Sequence, residues 1–329
     1  MHIDGIRFDA ARHMADDRED GWEVIKQANE IVHNCKYKGA FTIAEDTHSS
    51  LPTSYLNNKK EVFDHRWDFS TNKALFNWGE GYLNGSNLQY SMISSIDSQL
   101  RQNNQILAFS HDERGNKLYR VMRGDFDKLR LAMTYMAILP GKKLNFMGNE
   151  FAQVTPPIGS ETEDSNLRNQ LIDFNDNGEV KPDAKAVIDW DKNYEGSHKD
   201  FAEFNKHLNH LYLNSPQLWS KEGEPGKGFI WIQHSDHHNN VLSFYREASD
   251  GSRYLCLNRF TNGEVIENYK LNLSHLYVRN KYLKLIFSSN PMTDYPTPKI
   301  ELDVSNGFIT SYSFKVPPYS SLIFEEKEI

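Results

Sequence analysis

Four carboxylates stand at the ends of short apolar runs, where a fold could use them for chemistry. Asp9 follows Gly5-Ile6-Arg7-Phe8, Glu45 follows Phe41-Thr42-Ile43-Ala44, Asp112 closes Ile106 to His111, and Glu150 closes Leu144 to Asn149. Two carboxyl groups about 5–5.5 Å apart across a glycosidic bond support retaining chemistry, one as nucleophile and the other as acid and then base. Arg7 precedes Asp9 by two residues, and the period of two in a strand puts both on one face. A guanidinium there keeps Asp9 ionised, as a nucleophile requires. Glu45 follows Ile43-Ala44, an apolar setting that favours the protonated form an acid needs. Asp112, with His111 beside it, suits the gripping of sugar hydroxyls and the steadying of charge in an oxocarbenium-like transition state. Any one of these acids alone reads equally well as a helix cap or a solvated loop charge. Several at successive strand ends, with an Arg and a His at the right offsets, favour the chemical reading. The aromatics Phe63, Trp67, Trp78, Tyr82 and Tyr90 are either sugar-stacking rings or core.

These residues need a scaffold that brings strand ends together. Strands are expected at His2–Asp9, Ala40–Glu45, Val62–Phe69, Gln105–Ser110 and Leu144–Met147, and helices at Gly21–Tyr37, Asn87–Gln102 and Phe126–Ile138. In the first helix Trp22, Ile25, Ala28 and Val32 recur at spacings of three or four, and the third is closed by Pro140-Gly141. Repeated strand–helix units imply a parallel sheet, closed or doubly wound, and either form places ligands at the C-terminal strand ends. Residues 151–198 are rich in loop signals, and Asp200–Leu213 returns to helix. After about residue 225 short strands dominate, at Phe229–Gln233, Val241–Tyr245, Tyr254–Asn258, Tyr282–Phe287 and Ser311–Val316, separated by Asp-Gly, Asn-Gly and Pro signals. The expected division is 1–220 for the strand–helix part and 221–329 for an all-β domain.

Composition narrows the partners. The 329 residues carry 37 Lys+Arg against 45 Asp+Glu, a net charge of −8 with no basic run, which argues against binding nucleic acid through its phosphates. No apolar stretch approaches the roughly 18 residues that a membrane span needs. The two cysteines, Cys35 and Cys256, lie far apart without metal-ligand spacing and read as reduced thiols of a cytoplasmic protein. The chain opens on strand-like sequence with no lead-in, as if in the middle of a domain.

Three blocks in order resemble family 13 of the glycoside hydrolases, the α-amylase superfamily. Asp4-Gly5-Ile6-Arg7-Phe8-Asp9-Ala10-Ala11-Arg12-His13 is similar to the family's strand 4 block, Ile43-Ala44-Glu45-Asp46 to its strand 5 block, and Phe109-Ser110-His111-Asp112-Glu113 to its strand 7 block. Within the family, Pro140 to Gln153, Ile188-Asp189-Trp190, Leu208 to Tyr212 and Gly228 to Ile232 resemble the glucan-branching members. The resemblance implies a partial (β/α)8 barrel, strands 4–8, followed by an all-β C-terminal domain. It implies Asp9 as nucleophile, Glu45 as acid/base and Asp112 as stabiliser of the distorted sugar, with Arg7, His111, His13 and Trp67 binding substrate. The substrate would be an α-glucan, cleaved at an α-1,4 link and rejoined as an α-1,6 branch, with no cofactor and no metal. Ala11-Arg12-His13 is closer to the amylase form of its block, which keeps hydrolysis by an amylase or trehalohydrolase relative as an alternative. The family's strands 1–3 have no counterpart in the sequence, so a further expectation is that a second polypeptide supplies them, or that the chain is a glucan-binding fragment.

Overall fold

The computed structural model describes residues 4–16, 20–36, 39–45, 63–101, 105–110, 118–153, 190–191, 195–222, 224, 226–290 and 301–328. Among these, strand β1 (Gly5–Phe8) is followed by helices α1 (Ala11–Asp16) and α2 (Gly21–His33), then β2 (Phe41–Ala44) and β3 (His65–Asp68). Helices α3 (Ser70–Gly79) and α4 (Gly85–Arg101) precede β4 (Gln105–Phe109), and α5 (Leu118–Val121) and α6 (Phe126–Ile138) precede β5 (Lys142–Asn145). The five strands form one parallel sheet in the order β1-β2-β3-β4-β5. Each crossover therefore steps to the next strand in the same direction. Right-handed crossovers of this kind put all the helices on one face and curl the sheet as a barrel wall does, whereas a doubly wound sheet reverses direction. The open choice in the sequence is settled in favour of a half-barrel.

β4 shows how the wall is packed. All five of its residues are buried. Leu107 and Phe109 join the core beneath the helices, while Ile106 and Ala108 pack with Trp67, Ile43, Phe69 and Leu144 on the other, inner face. Burial on both faces is the mark of a parallel strand under a helical layer. Capping sets the helix starts. The Asp68 carboxylate accepts from the backbone N–H of Ser70 and Thr71, each at 3.1 Å, and Asp125 accepts from Asp127 and Lys128 at 2.9 and 3.1 Å. In α2 the helix is tied to β2 by Asn29, whose side chain donates to Ile25 O and accepts the Thr42 hydroxyl at 2.5 Å.

Helices α7 (Gly196–Leu213) and α8 (Pro216–Trp219) lead into eight antiparallel strands: β6 (Phe229–Asp236), β7 (Val241–Glu247), β8 (Arg253–Arg259), β9 (Ile266–Asn272), β10 (Lys281–Ser288), β11 (Glu301–Ser305), β12 (Phe308–Val316) and β13 (Ser320–Glu328). They pair as a five-stranded sheet, β10-β13-β8-β7-β6, and a three-stranded sheet, β11-β12-β9. Alternation gives the larger sheet two buried faces. Val241, Tyr245, Leu255, Leu257 and Phe324 meet Tyr269, Leu271 and Phe314 of the smaller sheet, whereas Leu242, Phe244, Tyr254, Cys256 and Ile323 share a core with Trp78, Leu131 and Tyr135 of the barrel helices. Trp78 Nε1 donates to Phe260 O at 2.8 Å across this seam. Half-barrel and β domain thus share one core, and the core between the two sheets lies on the other face of the larger sheet.

Lys143 belongs to β5, and its amine reaches back to the turn after α6, donating to Leu139 O at 2.6 Å and to Gly141 O. Burial lowers its pKa to about 7, against an opposing pull from Glu222. An amine with a folded pKa near 7 and an ordinary unfolded value above 10 binds fewer protons folded than unfolded between those limits. Its burial therefore costs most below pH 7, and the cost is relieved as pH rises. In urea titrations, wild type should gain stability over Lys143→Met by up to about 1.4 kcal/mol per pH unit between pH 7 and 10. Equal slopes for the two proteins would show that the amine stays charged in the fold.

Candidate active site

On β1, β2 and β3 and just beyond them, the inner face is read out by odd numbers: Arg7 and Asp9, Ile43 and Glu45, Trp67 and Phe69. The register pairs Phe8 with Ala44, so the next residues, Asp9 and Glu45, leave adjacent strands side by side. The backbone locks them there. Glu45 N–H donates to Phe8 O and Ala11 N–H donates to Glu45 O, both at 3.0 Å.

One guanidinium joins the two acids. Arg7 Nη1 donates to Asp9 Oδ1 at 2.7 Å, and Arg7 Nη2 forms an ion pair with Glu45 Oε2 at 2.7 Å. The acids differ in access: the Asp9 side chain is 80% exposed and that of Glu45 only 9%. Glu45 Oε2 also accepts Ala10 N–H at 2.8 Å. Ala10 reaches it by adopting φ +43°, the left-handed region that a residue with a Cβ enters at a cost of about 1 kcal/mol or more. The turn after Asp9 is thus strained in a way that delivers a donor to Glu45.

Trp67 is 4% exposed, and its ring lies under Arg7, whose guanidinium carbon is 4.0 Å from the ring centroid. A cation over an indole face is held in place electrostatically. Trp67, expected to bind substrate, carries Arg7 on one face of its ring in this structure. The two meet because the odd-numbered residues of three neighbouring strands crowd onto one inner surface. Phe63 packs edge-on against Phe8 at 5.1 Å, Trp78 is core, and Tyr82 and Tyr90 are exposed. His13 is exposed in α1, the helix that follows Asp9. Glu150 serves the chain turn instead, accepting Gly148 N–H at 2.8 Å. His111 and Asp112 lie outside the described residues, although Ser110, directly before them, is buried at the end of β4.

Sequence reasoning overlooked Ala10 and the link from Arg7 to Glu45. The first had no signal, since nothing about an alanine marks a positive φ. The second was available only once β1 and β2 were known to pair in parallel.

Comparison with known proteins agrees with this architecture. Residues 231–327 match the family described as "Alpha amylase, C-terminal all-beta domain". Among solved structures, an α-amylase from H. orenii aligns over 99% of this chain and 61% of its own, with a TM-score of 0.60 at 16% identity. A debranching enzyme from Nostoc punctiforme aligns over 98% of this chain and 58% of its own, with a TM-score of 0.65 at 12% identity. At such identities the likeness is one of fold. The C-terminal domain, together with relatives up to 31% identical over 79% of the chain, places the chain in the α-amylase superfamily, family 13 of the glycoside hydrolases. Within it, the chain is 28% identical over 98% of its length to the 1,4-alpha-glucan branching enzyme GlgB of Chlamydia felis, and 31% identical over 79% to that of Nitrosomonas eutropha. It spans 45% and 36% of those two relatives, about half their length or less.

Proposed function

We propose that residues 1–220 carry the chemistry of a retaining α-glucan transglycosylase and that 221–329 form its all-β domain. The observation that carries this reading is the Arg7 bridge between Asp9 and Glu45. Carboxylates that share one guanidinium are closely spaced, in keeping with the roughly 5–5.5 Å of a retaining pair. The exposed Asp9 carboxylate attacks the anomeric carbon while the α-1,4 C–O bond breaks. The leaving oxygen takes the proton of Glu45. The glucosyl–Asp9 ester is then opened by a glucan 6-hydroxyl whose proton returns to Glu45, giving an α-1,6 branch. Asp112 and His111 would hold the distorted sugar. The whole cycle uses carboxylates and an acceptor and calls for no cofactor. Two cysteines far apart in the sequence, Cys35 and Cys256, suit a cytoplasmic setting.

The sheet also has an edge to fill. Among the described residues β1 pairs on one side only, and Ile6 on it is 48% exposed, with Val24 and Ile31 of α2 55% and 71% exposed. A bare strand edge with apolar neighbours is a template for further strand–helix units. Such units would come from the polypeptide at large or from a second chain.

The test incubates amylose with the protein, alone and together with a polypeptide carrying the N-terminal half of a branching enzyme. Proton NMR should show new α-1,6 anomeric signals without a matching rise in reducing ends. Reducing ends rising without α-1,6 signals would replace this reading by hydrolysis, which the Ala11-Arg12-His13 stretch favours. Glucan retention with neither product would leave a binding fragment.

A further inference from the structure

The three-stranded sheet ends in an aromatic cluster that neither core absorbs. Tyr277, between β9 and β10, is 73% exposed and sits at φ +52°. Its ring meets Phe308 edge-on, with centroids 5.6 Å apart at 78°. The Arg279 guanidinium lies over the same Phe308 ring, 3.6 Å from its centroid. Nothing about this group is loose. Val278, between Tyr277 and Arg279, bridges Ile309 in antiparallel fashion, and Ile309 N–H donates to Val278 O at 2.8 Å. Val278 and Ile309 are buried in the sandwich core. Alternation therefore turns Tyr277, Arg279 and Phe308 away from it together. Asn280, Asn306 and Gly307, at φ +49°, +53° and +76°, complete the two turns that present them.

A tyrosine in the left-handed region gives up about 1 kcal/mol or more of backbone energy. Here that cost leaves a large ring in water, where it contributes little to folding. The arrangement makes sense if the ring has an external occupant.

We propose that Tyr277, Phe308 and Arg279 form a surface platform that holds an α-glucan chain away from the Asp9–Glu45 centre. A pyranose offers an apolar C–H face of the right size for one exposed ring, and its hydroxyls accept from the rigid fork of a guanidinium. A neutral polymer fits better than a polyanion, because the protein carries a net charge of −8 and the cluster holds a single guanidinium rather than a basic run. The choice of α-glucan rests on the function proposed above. For a polymeric substrate, a second foothold raises the effective concentration of chain at the catalytic centre.

The experiment is affinity electrophoresis of the full chain in gels containing glycogen, with a β-glucan gel as control. The variant is Tyr277→Asn, since asparagine tolerates the left-handed turn and the fold is kept while the ring is lost. Wild type should be retarded by glycogen alone, and Tyr277→Asn should bind about fivefold more weakly. Arg279→Ala should weaken binding too, and Tyr277→Phe should restore it to near wild type. Equal retardation of wild type and Tyr277→Asn would overturn the platform while leaving the catalytic reading intact. Retardation that collapses with added salt would mark an anion patch and overturn it as well. A wild type that shows neither retardation nor turnover would sink both proposals, whereas turnover without retardation would sink the platform alone.

Discussion

Asp9→Asn is expected to lower turnover at least about 10⁴-fold, and Glu45→Gln to do the same for substrates with poor leaving groups. The two substitutions remove different halves of the proposed mechanism. Without the Asp9 oxygen no glucosyl ester forms. Without the Glu45 proton the leaving oxygen departs as an alkoxide. Neither change should disturb the fold. The Asp9 side chain is 80% exposed, so its loss should shift unfolding free energy by less than about 0.5 kcal/mol. Glutamine at position 45 can still accept Ala10 N–H, which preserves the strained turn. A mechanism-based 2-fluoroglucosyl donor supplies the sharper measurement, because its ester is hydrolysed slowly. Peptide mass mapping should find the label on the peptide that contains Asp9 in wild type and not in Asp9→Asn. A label on another carboxylate, or turnover that survives in Asp9→Asn, would remove the nucleophile role.

The site was legible in the sequence to the extent that single strands carry it. Arg7 and Asp9 share a face because they are two apart on one strand, and Glu45 stands at a strand end because an apolar run stops there. What joins them is not on one strand. Arg7 reaches Glu45 across the β1–β2 pairing and rests on Trp67 across β2 to β3, and those contacts follow from register. Trp67 shows the limit well: an aromatic beside catalytic strands has the same composition whether it faces sugar or carries the arginine. Element boundaries follow the same logic. Helix α6 runs from Phe126 to Ile138 as expected, since Asp125 caps its start and Pro140-Gly141 follows its end. Helix α3 was missed because seven of its ten residues are buried and no single stripe stands out. Strands β11 and β13 escape the sequence reading for different reasons: β11 is only five residues long and exposed throughout, Leu302 and Val304 included, while β13 buries both faces and breaks alternation.

The core shared by half-barrel and β domain has no sequence signature at all, and Arg246 is its most consequential residue. Arg246 belongs to β7 yet is 2% exposed. It donates to Ile138 O at 2.5 Å, Leu218 O at 2.8 Å and Gly228 O at 3.2 Å. These carbonyls end α6, lie in α8 and precede β6, so one guanidinium satisfies a helix of the half-barrel, the connecting helix and the first strand of the β domain. Burial lowers its pKa, with Glu222 pulling the other way, yet an arginine keeps its charge under such conditions. Arg246→Ala should cost about 3–5 kcal/mol, because carbonyls buried in the seam lose their donor and Glu222 loses a counter-charge. Arg246→Met keeps the volume of the stem and should recover only part of this, since the carbonyls stay unpaired. Urea unfolding checks both magnitude and cause. Wild type should unfold in one transition, as expected of a shared core, whereas Arg246→Ala should separate into two with the half-barrel melting first. A change below about 0.5 kcal/mol would mean that water satisfies those carbonyls and that the seam is held by its apolar contacts alone. The consequence reaches the active site through α6, which backs the sheet that aligns Arg7 with Asp9 and Glu45. Loosening the seam should therefore lower turnover before it unfolds the protein, although Arg246 lies on the β domain and touches none of the reacting groups.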